Sequence, residues 1–307
     1  MTEKLTGITV AVIGGDERQI VLVNKLLHLG AEVKVMGLPE RKELTGCDFC
    51  QDFLEVIRVA NAIILPMPGT DFEGNIITAL SKQKIQLTQQ IFQSIPNEIP
   101  IFVGVAKPFL KEWARFYQKK LIEIAELDEI AIPNSIPTAE GCLQMAMEKL
   151  SITIHGSNSF VIGFGRCGRT IARMLGALGA KTTVFARKTA DLARIKEMGL
   201  NAYNLDQLTG LLPQADLIIN TIPIQILTEN RLEVTNREAL IIDIASAPGG
   251  TDFQAAEKLG IEAILAPSLP GLVAPKTAGL ILAEALPKLI LEQISLPETN
   301  KVGGKKE

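Results

Sequence analysis

Ser159-Phe-Val-Ile-Gly-Phe-Gly-Arg-Cys-Gly168 spaces three glycines as G-x-G-x-x-G, directly after an apolar run and directly before an amphipathic one. That spacing suits a dinucleotide. Gly163 permits a tight turn, Gly165 lets a pyrophosphate approach the backbone, and Gly168 lets the following helix pack closely on the strand. The unpaired N–H groups of the helix start, around Arg166 and Cys167, are oriented to bind phosphate. About 20 residues further on, NAD-specific sites place an acid against the ribose 2′-hydroxyl. This chain has Ala186-Arg187-Lys188 there, and no acid before Asp191. A carboxylate would repel a 2′-phosphate, whereas a guanidinium binds one through paired hydrogen bonds. The residues therefore predict NADP, with NAD as the alternative.

Acid–base chemistry is constrained by the presence of only two histidines. His28 is expected mid-helix and His155 ahead of a strand, whereas ligands gather at the carboxyl ends of strands. A histidine–carboxylate pair and a Ser-His-Asp triad are both excluded. Lysines remain. Lys107, before Pro108, and Lys276, after Pro275, are each expected in the first turn of a helix. A cation there opposes the helix macrodipole at a cost of ~0.3–1 kcal/mol unless an anion sits beside it. The two are expected on different domains, so that a cleft offers one to each carboxylate of a small dicarboxylate.

Further candidates end strands. Asp243 and Ser246, in Ile241-Ile-Asp-Ile-Ala-Ser-Ala-Pro-Gly-Gly250, fall where a nicotinamide ring would lie, and Asn220, Thr221 and Pro223 fall where its ribose would lie. A second glycine turn, Ala11-Val-Ile-Gly-Gly-Asp16, lacks the third glycine. Asp16 fits a helix N-cap, and Arg18 is a candidate contact for a substrate carboxylate. Cys47 and Cys50 form the one C-x-x-C, without two further ligands at matching spacing, so no metal site is expected.

These residues need a scaffold that brings strand ends together. Short Val/Ile-rich runs alternate with amphipathic segments almost throughout, which predicts α/β architecture with two doubly wound parallel sheets. Strands are expected at 8–13, 32–35, 62–65, 101–104 and 121–124 in the first half, with helices at 17–29, 52–60 and 108–119. The second half has strands at 159–163, 182–185, 217–220, 239–243 and 262–264, with helices at 167–178, 190–198 and 252–259. The implied domains are 1–133 (substrate), 134–151 (connecting helix), 152–275 (a Rossmann dinucleotide domain) and 276–307 (a crossing helix and disordered tail). The two prolines of 132–140 read as a connector ahead of a helix to about residue 150.

Several classes are excluded on composition. The chain has 307 residues, 47% hydrophobic, and a formal charge of −3, which gives no basic field for nucleic acid. No apolar run reaches the roughly 18 residues of a membrane span, and no secretory leader precedes the first strand. A cytoplasmic protein is expected.

Together these segments resemble the dipicolinate synthase A-subunit family. The resemblance lies in Val12-Ile-Gly-Gly-Asp16, Asn134-Ser-Ile-Pro-Thr-Ala-Glu-Gly141, Ile154-His-Gly-Ser157, residues 242–253 and residues 269–279. More distantly the chain is similar to 2-hydroxyacid dehydrogenases, adenosylhomocysteinase and alanine dehydrogenase. Ser246-Ala247 stand where the hydroxyacid enzymes carry a catalytic arginine. The resemblance implies hydride removal from a dihydropyridine dicarboxylate by NADP, a partner B subunit with a flavoprotein fold, and the mother cell of a sporulating bacterium; a homo-oligomer is expected as well. A ring proton must leave with the hydride, and Lys276 or Glu140 is the expected acceptor; Asp243 is a further catalytic candidate, and Ser135 and Thr138 are candidate substrate contacts. Two other readings stay open: another amino or hydroxy acid dehydrogenase, and a non-catalytic nucleotide-sensing subunit.

Overall fold

The computed structural model describes residues 4–295 and divides the chain into two compact units. Residues 132–274 form the second unit, and the segments before and after them form the first.

The first unit contains β1 (Thr9–Ile13), α1 (Glu17–His28), β2 (Glu32–Met36), β3 (Asp48–Phe49), α2 (Phe53–Val59), β4 (Ala62–Ile64), α3 (Gln89–Ser94), β5 (Ile101–Val103), α4 (Pro108–Phe116) and β6 (Leu121–Glu123). Its strands form one parallel sheet in the order β3-β2-β1-β4-β5-β6. Strands such as β1 and β4 are buried along their whole length, as expected for a sheet covered on both faces.

Helix α5 (Asp128–Lys149) leads into the second unit, followed by β7 (Asn158–Ile162), α6 (Arg166–Ala177), β8 (Lys181–Ala186), α7 (Thr189–Glu197), β9 (Asn201–Asn204), α8 (Leu208–Leu211), β10 (Leu217–Asn220), α9 (Glu229–Glu233), β11 (Leu240–Asp243), α10 (Phe253–Lys258), β12 (Ala263–Leu265) and α11 (Leu269–Val273). The sheet, again parallel, runs β12-β11-β10-β7-β8-β9. The expected pair of doubly wound sheets is therefore present, each with six strands.

Residues 132–140 are not a proline-broken connector; they lie within α5, with Pro133 and Pro137 inside it. Each proline removes one helical donor, at the Glu129 and Pro133 carbonyls, while the hydroxyls nearby bond other carbonyls of the same helix. Ser135 Oγ donates to the Ile132 carbonyl at 2.6 Å and Thr138 Oγ1 to that of Asn134 at 2.8 Å. Burial of Ala139, Cys142, Leu143 and Ala146 in the core of the second unit holds the helix in place.

The final helix, α12 (Pro275–Ser295), belongs to the first unit, where it packs along α1. Ala278, Leu282, Ala283, Leu286 and Ile290 are its buried stripe. Both lysines singled out for a dicarboxylate therefore sit in one unit rather than on different domains. The tail expected to be disordered lies outside the described residues, and among those residues no helix is long and apolar enough to cross a membrane.

Packing of α12 on α1 is close enough to specify glycine. A Cβ on Gly279 would stand 2.7 Å from Val21 Cβ and 2.9 Å from the Arg18 carbonyl oxygen. Gly279→Ala should therefore destabilise by about 1–3 kcal/mol through overpacking, outweighing the ~1 kcal/mol that alanine gains in helix propensity. A urea midpoint equal to or above that of the parent would contradict this close approach.

Candidate functional site

In the second sheet the chain winds outward from β7 to β9, then returns to β10 beside β7 and winds the other way. Such a reversal opens a crevice at the carboxyl ends of the two central strands, where doubly wound folds bind ligands. Residues 163–168 leave β7 into this crevice, and Asn220-Thr221-Ile222 leave β10.

The three glycines have distinct roles. Gly163 has φ +101°, and a Cβ there would meet Thr221 Oγ1 at 2.3 Å, so the two strand ends could not approach. A Cβ on Gly168 would meet the Gly163 carbonyl oxygen at 2.3 Å, which fixes α6 against the turn. Gly165, by contrast, faces open space, with nothing within 4 Å of an added Cβ. It also caps α6 without a side-chain bond. Steric need explains the outer two glycines; the open middle position, at the N-terminus of a 12-residue helix, fits an approaching pyrophosphate.

Asp243 ends β11 and is wholly buried. Its carboxylate accepts from Asn220 Nδ2 at 3.0 Å, Ala245 N at 3.0 Å, Gly250 N at 2.8 Å and Thr251 Oγ1 at 2.7 Å. Asn220 completes the knot by donating to the Ile222 carbonyl and accepting from the Ile222 amide. Expected to act on ring or substrate, Asp243 instead spends its oxygens on its own chain and ties β10, β11 and residues 245–251 together. Thr251 and Gly250 went unnoticed in the sequence because only the fold brings them to Asp243. Ser246, Pro223 and the neighbouring Ile224 stay exposed around the knot, and Thr221 Oγ1 donates to the Ile162 carbonyl at 2.9 Å.

At the far end of the crevice, Arg187 and Lys188 follow β8 and are exposed. Neither side chain has an ion-pair or hydrogen-bond partner among the described residues. Lys188 is the N-cap of α7. Asp191, in the first turn of α7, is engaged by Arg169 at 3.2 Å.

The remaining candidates are dispersed. Ser135 is buried and shares a hydrogen bond of 2.6 Å with Thr170, which braces the helix that follows the glycine turn, whereas Thr138 donates to the Asn134 carbonyl within α5. Glu140 is an exposed residue of α5. Arg18, expected to meet a substrate carboxylate, is buried and already bound to Asp16 through both Nε and Nη2, the latter at 2.6 Å. Asp16 is the N-cap expected for α1 and forms a capping box with Gln19. The glycine turn beside it is filled from within: Gly15 N donates to the Ile77 carbonyl at 2.8 Å, and Ile76 lies over Gly14. Lys107 is the N-cap of α4, its ammonium 4.7 Å from the centre of the Phe72 ring. Lys276 is exposed in the first turn of α12, without an ion-pair partner among the described residues.

The four cysteines are free. Burial pushes the Cys47 thiol up to about 11, with Asp48 adding to the shift, and raises Cys50 as well. Burial also pushes Cys142 up to about 12 and raises Cys167. All four are held as thiols near neutral pH, the opposite of a reactive dithiol. No cluster of three or more potential metal ligands occurs among the described residues.

A doubly wound unit with this glycine turn at its switch point is the nucleotide half of an NAD(P)-dependent oxidoreductase, and residues 137–249 match the family described as D-isomer specific 2-hydroxyacid dehydrogenase, NAD binding domain. Residues 9–125 match the family of the N-terminal domain of the dipicolinate synthase A subunit. The chain is 44% identical over 289 residues to the A subunit of dipicolinate synthase from Bacillus subtilis, covering 94% of this chain and 97% of that one. It superimposes with a TM-score of 0.89 on the crystal structure of the dipicolinate synthase A subunit from Bacillus halodurans, at 40% identity over 96% of this chain and all of that one. The chain belongs to the dipicolinate synthase A-subunit family. An L-alanine dehydrogenase shares the fold alone, with a TM-score of 0.62 and 15% identity over 92% of this chain and 89% of that one.

The glycine geometry separates binding from folding. Gly165→Val should abolish dinucleotide binding, because its side chain enters the space a pyrophosphate needs, and should lower stability by less than about 1 kcal/mol. Gly168→Ala should cost about 1–3 kcal/mol of stability by forcing α6 off the Gly163 carbonyl. Calorimetric titration and thermal melts of both variants check this. Nucleotide affinity unchanged in Gly165→Val would reduce the turn to a packing device.

Proposed function

We propose that this chain oxidises a dihydropyridine dicarboxylate, dihydrodipicolinate, to the aromatic pyridine-2,6-dicarboxylate, with NADP as acceptor. The observation that carries the substrate is the likeness, along both units, to the A subunit of dipicolinate synthase. That name supports a partner B subunit with a flavoprotein fold and, with the family resemblance, a role in the cytoplasm of the mother cell during sporulation.

The reaction balances without a strong general base. A ring carbon gives up a hydride, one ring proton leaves, and aromatisation supplies the driving force. Bound dinucleotide supplies the hydride acceptor, and the chain's own residues do the rest. Gly163, Gly165, Arg166, Cys167 and Gly168 hold the pyrophosphate. Asn220, Thr221, Pro223 and Ser246 surround the nicotinamide end, in a loop whose shape Asp243 sets. Lys276 and Lys107 bind carboxylate, and Lys276 or Glu140 takes the proton.

Unpaired Arg187 and Lys188 at the end of β8 support NADP over NAD. A further relative, named shikimate dehydrogenase (NADP(+)) from Pyrococcus abyssi, is 24% identical over 176 residues, covering 53% of this chain and 65% of its own.

Arg187→Ala should weaken NADP binding by about 1.5–3 kcal/mol, the range for a hydrogen bond to a charged group, while affecting NAD little. Equal losses for both would show that the arginine does not read the 2′-phosphate. Lys276→Ala should raise KM for the dicarboxylate with NADP affinity unchanged. A collapsed kcat at constant KM would make Lys276 the proton acceptor instead, and normal kinetics would remove it from the site.

A further inference from the structure

Arg169 lies one residue past the last glycine of the turn and makes three contacts in two directions. Its Nε donates to the Phe164 carbonyl at 3.1 Å, its guanidinium carbon lies 5.1 Å from the centre of the Phe164 ring, and its Nη2 reaches Asp191 Oδ1 at 3.2 Å. Phe164 is the residue between the first two glycines, so one side chain joins the pyrophosphate turn to the first turn of α7.

Asp191 is the first acid after β8 and lies three residues past Lys188. Unpaired, it would present a carboxylate to the same loop that presents Arg187 and Lys188. Its charge would oppose a 2′-phosphate, and its oxygens would suit a ribose 2′-hydroxyl. The pair with Arg169 offsets that charge and occupies Oδ1. Its side chain is 21% exposed against 59% for Arg169, so the carboxylate is the more sheltered partner. An ion pair this exposed adds little to stability, which leaves its effect on local charge as the reason to keep it.

We propose that Arg169 is a specificity-determining residue: itself held to the Phe164 carbonyl, it pairs with Asp191 and so keeps the adenosine end of the site selective for a 2′-phosphate. The inference rests on Arg187 and Lys188 being the ligands of that phosphate. Arg169 acts through Asp191 and is a positioning residue, not a catalytic one.

Calorimetric titration of the full chain with 2′,5′-ADP and with 5′-AMP reads the adenosine end alone. The parent should bind 2′,5′-ADP more tightly. Arg169→Met should lower that affinity about tenfold by leaving a carboxylate unneutralised beside the phosphate, with less than a threefold change for 5′-AMP. Asp191→Asn alone should not weaken 2′,5′-ADP, and adding it to Arg169→Met should restore the affinity. An unchanged ratio in Arg169→Met, or a double variant that stays as weak as the single one, would overturn the role of Arg169 while leaving NADP preference intact. A parent that binds both fragments equally, with no effect of Arg187→Ala on either, would instead overturn the NADP reading itself.

Discussion

A carboxylate with no solvent exposure must be matched by donors or it costs several kcal/mol, and Asp243 meets this condition with partners from three separate stretches of chain. Asn220 comes from the end of β10, Ala245 from the residues just after β11, and Gly250 with Thr251 from the approach to α10. Hydrogen bonds to a charged group each contribute about 1.5–3 kcal/mol, and removing the acceptor would strand several buried donors at once. The surrounding sequence conforms to this knot. A Cβ on Gly250 would meet Asn220 Nδ2 and the carbonyls of Ile222 and Ile224, each at 2.5 Å. The walls of the crevice at the ends of β10 and β11 are thus set by an acid whose oxygens are bound by its own chain.

The two units show how one topology yields two outcomes. Both sheets reverse direction beside their first strand, and each carries a glycine turn at that point. In the second unit the turn stays open at Gly165. In the first, the segment between β4 and α3 folds back, pairs Thr78 with Gly15 and places Ile76 and Ile77 over the glycines, while Arg18 is neutralised by Asp16. The phosphate-binding capacity of the first turn is used up internally, which leaves one dinucleotide site for the chain among the described residues.

Features carried by local sterics were legible in the sequence. The glycine turn, the capping Asp16, the long buried strands and the basic pair after β8 each depend on residues within a few positions of one another. Features assembled across the fold were not. Asp243 looked available because its partners lie 2, 7, 8 and 23 residues away, and Arg169 meets Asp191 across 22 residues. Strand β3 is two residues long and shows no alternation to read. The prolines of α5 suggested a break because propensity acts locally, whereas burial in the core of the second unit keeps the helix whole. Lys276 follows α12 into the first unit for a similar reason: the small stripe of that helix fits α1.

Under the proposed function, one chain joins a 2′-phosphorylated dinucleotide to the aromatisation of a cyclic dicarboxylate. It is tested most directly by incubating the purified chain and a B subunit with dihydrodipicolinate and NADP, then quantifying reduced cofactor and pyridine-2,6-dicarboxylate together. The two should appear in equal amounts, and faster with NADP than with NAD. Aromatic product formed without reduced cofactor, or at the same rate when nucleotide is omitted, would contradict it.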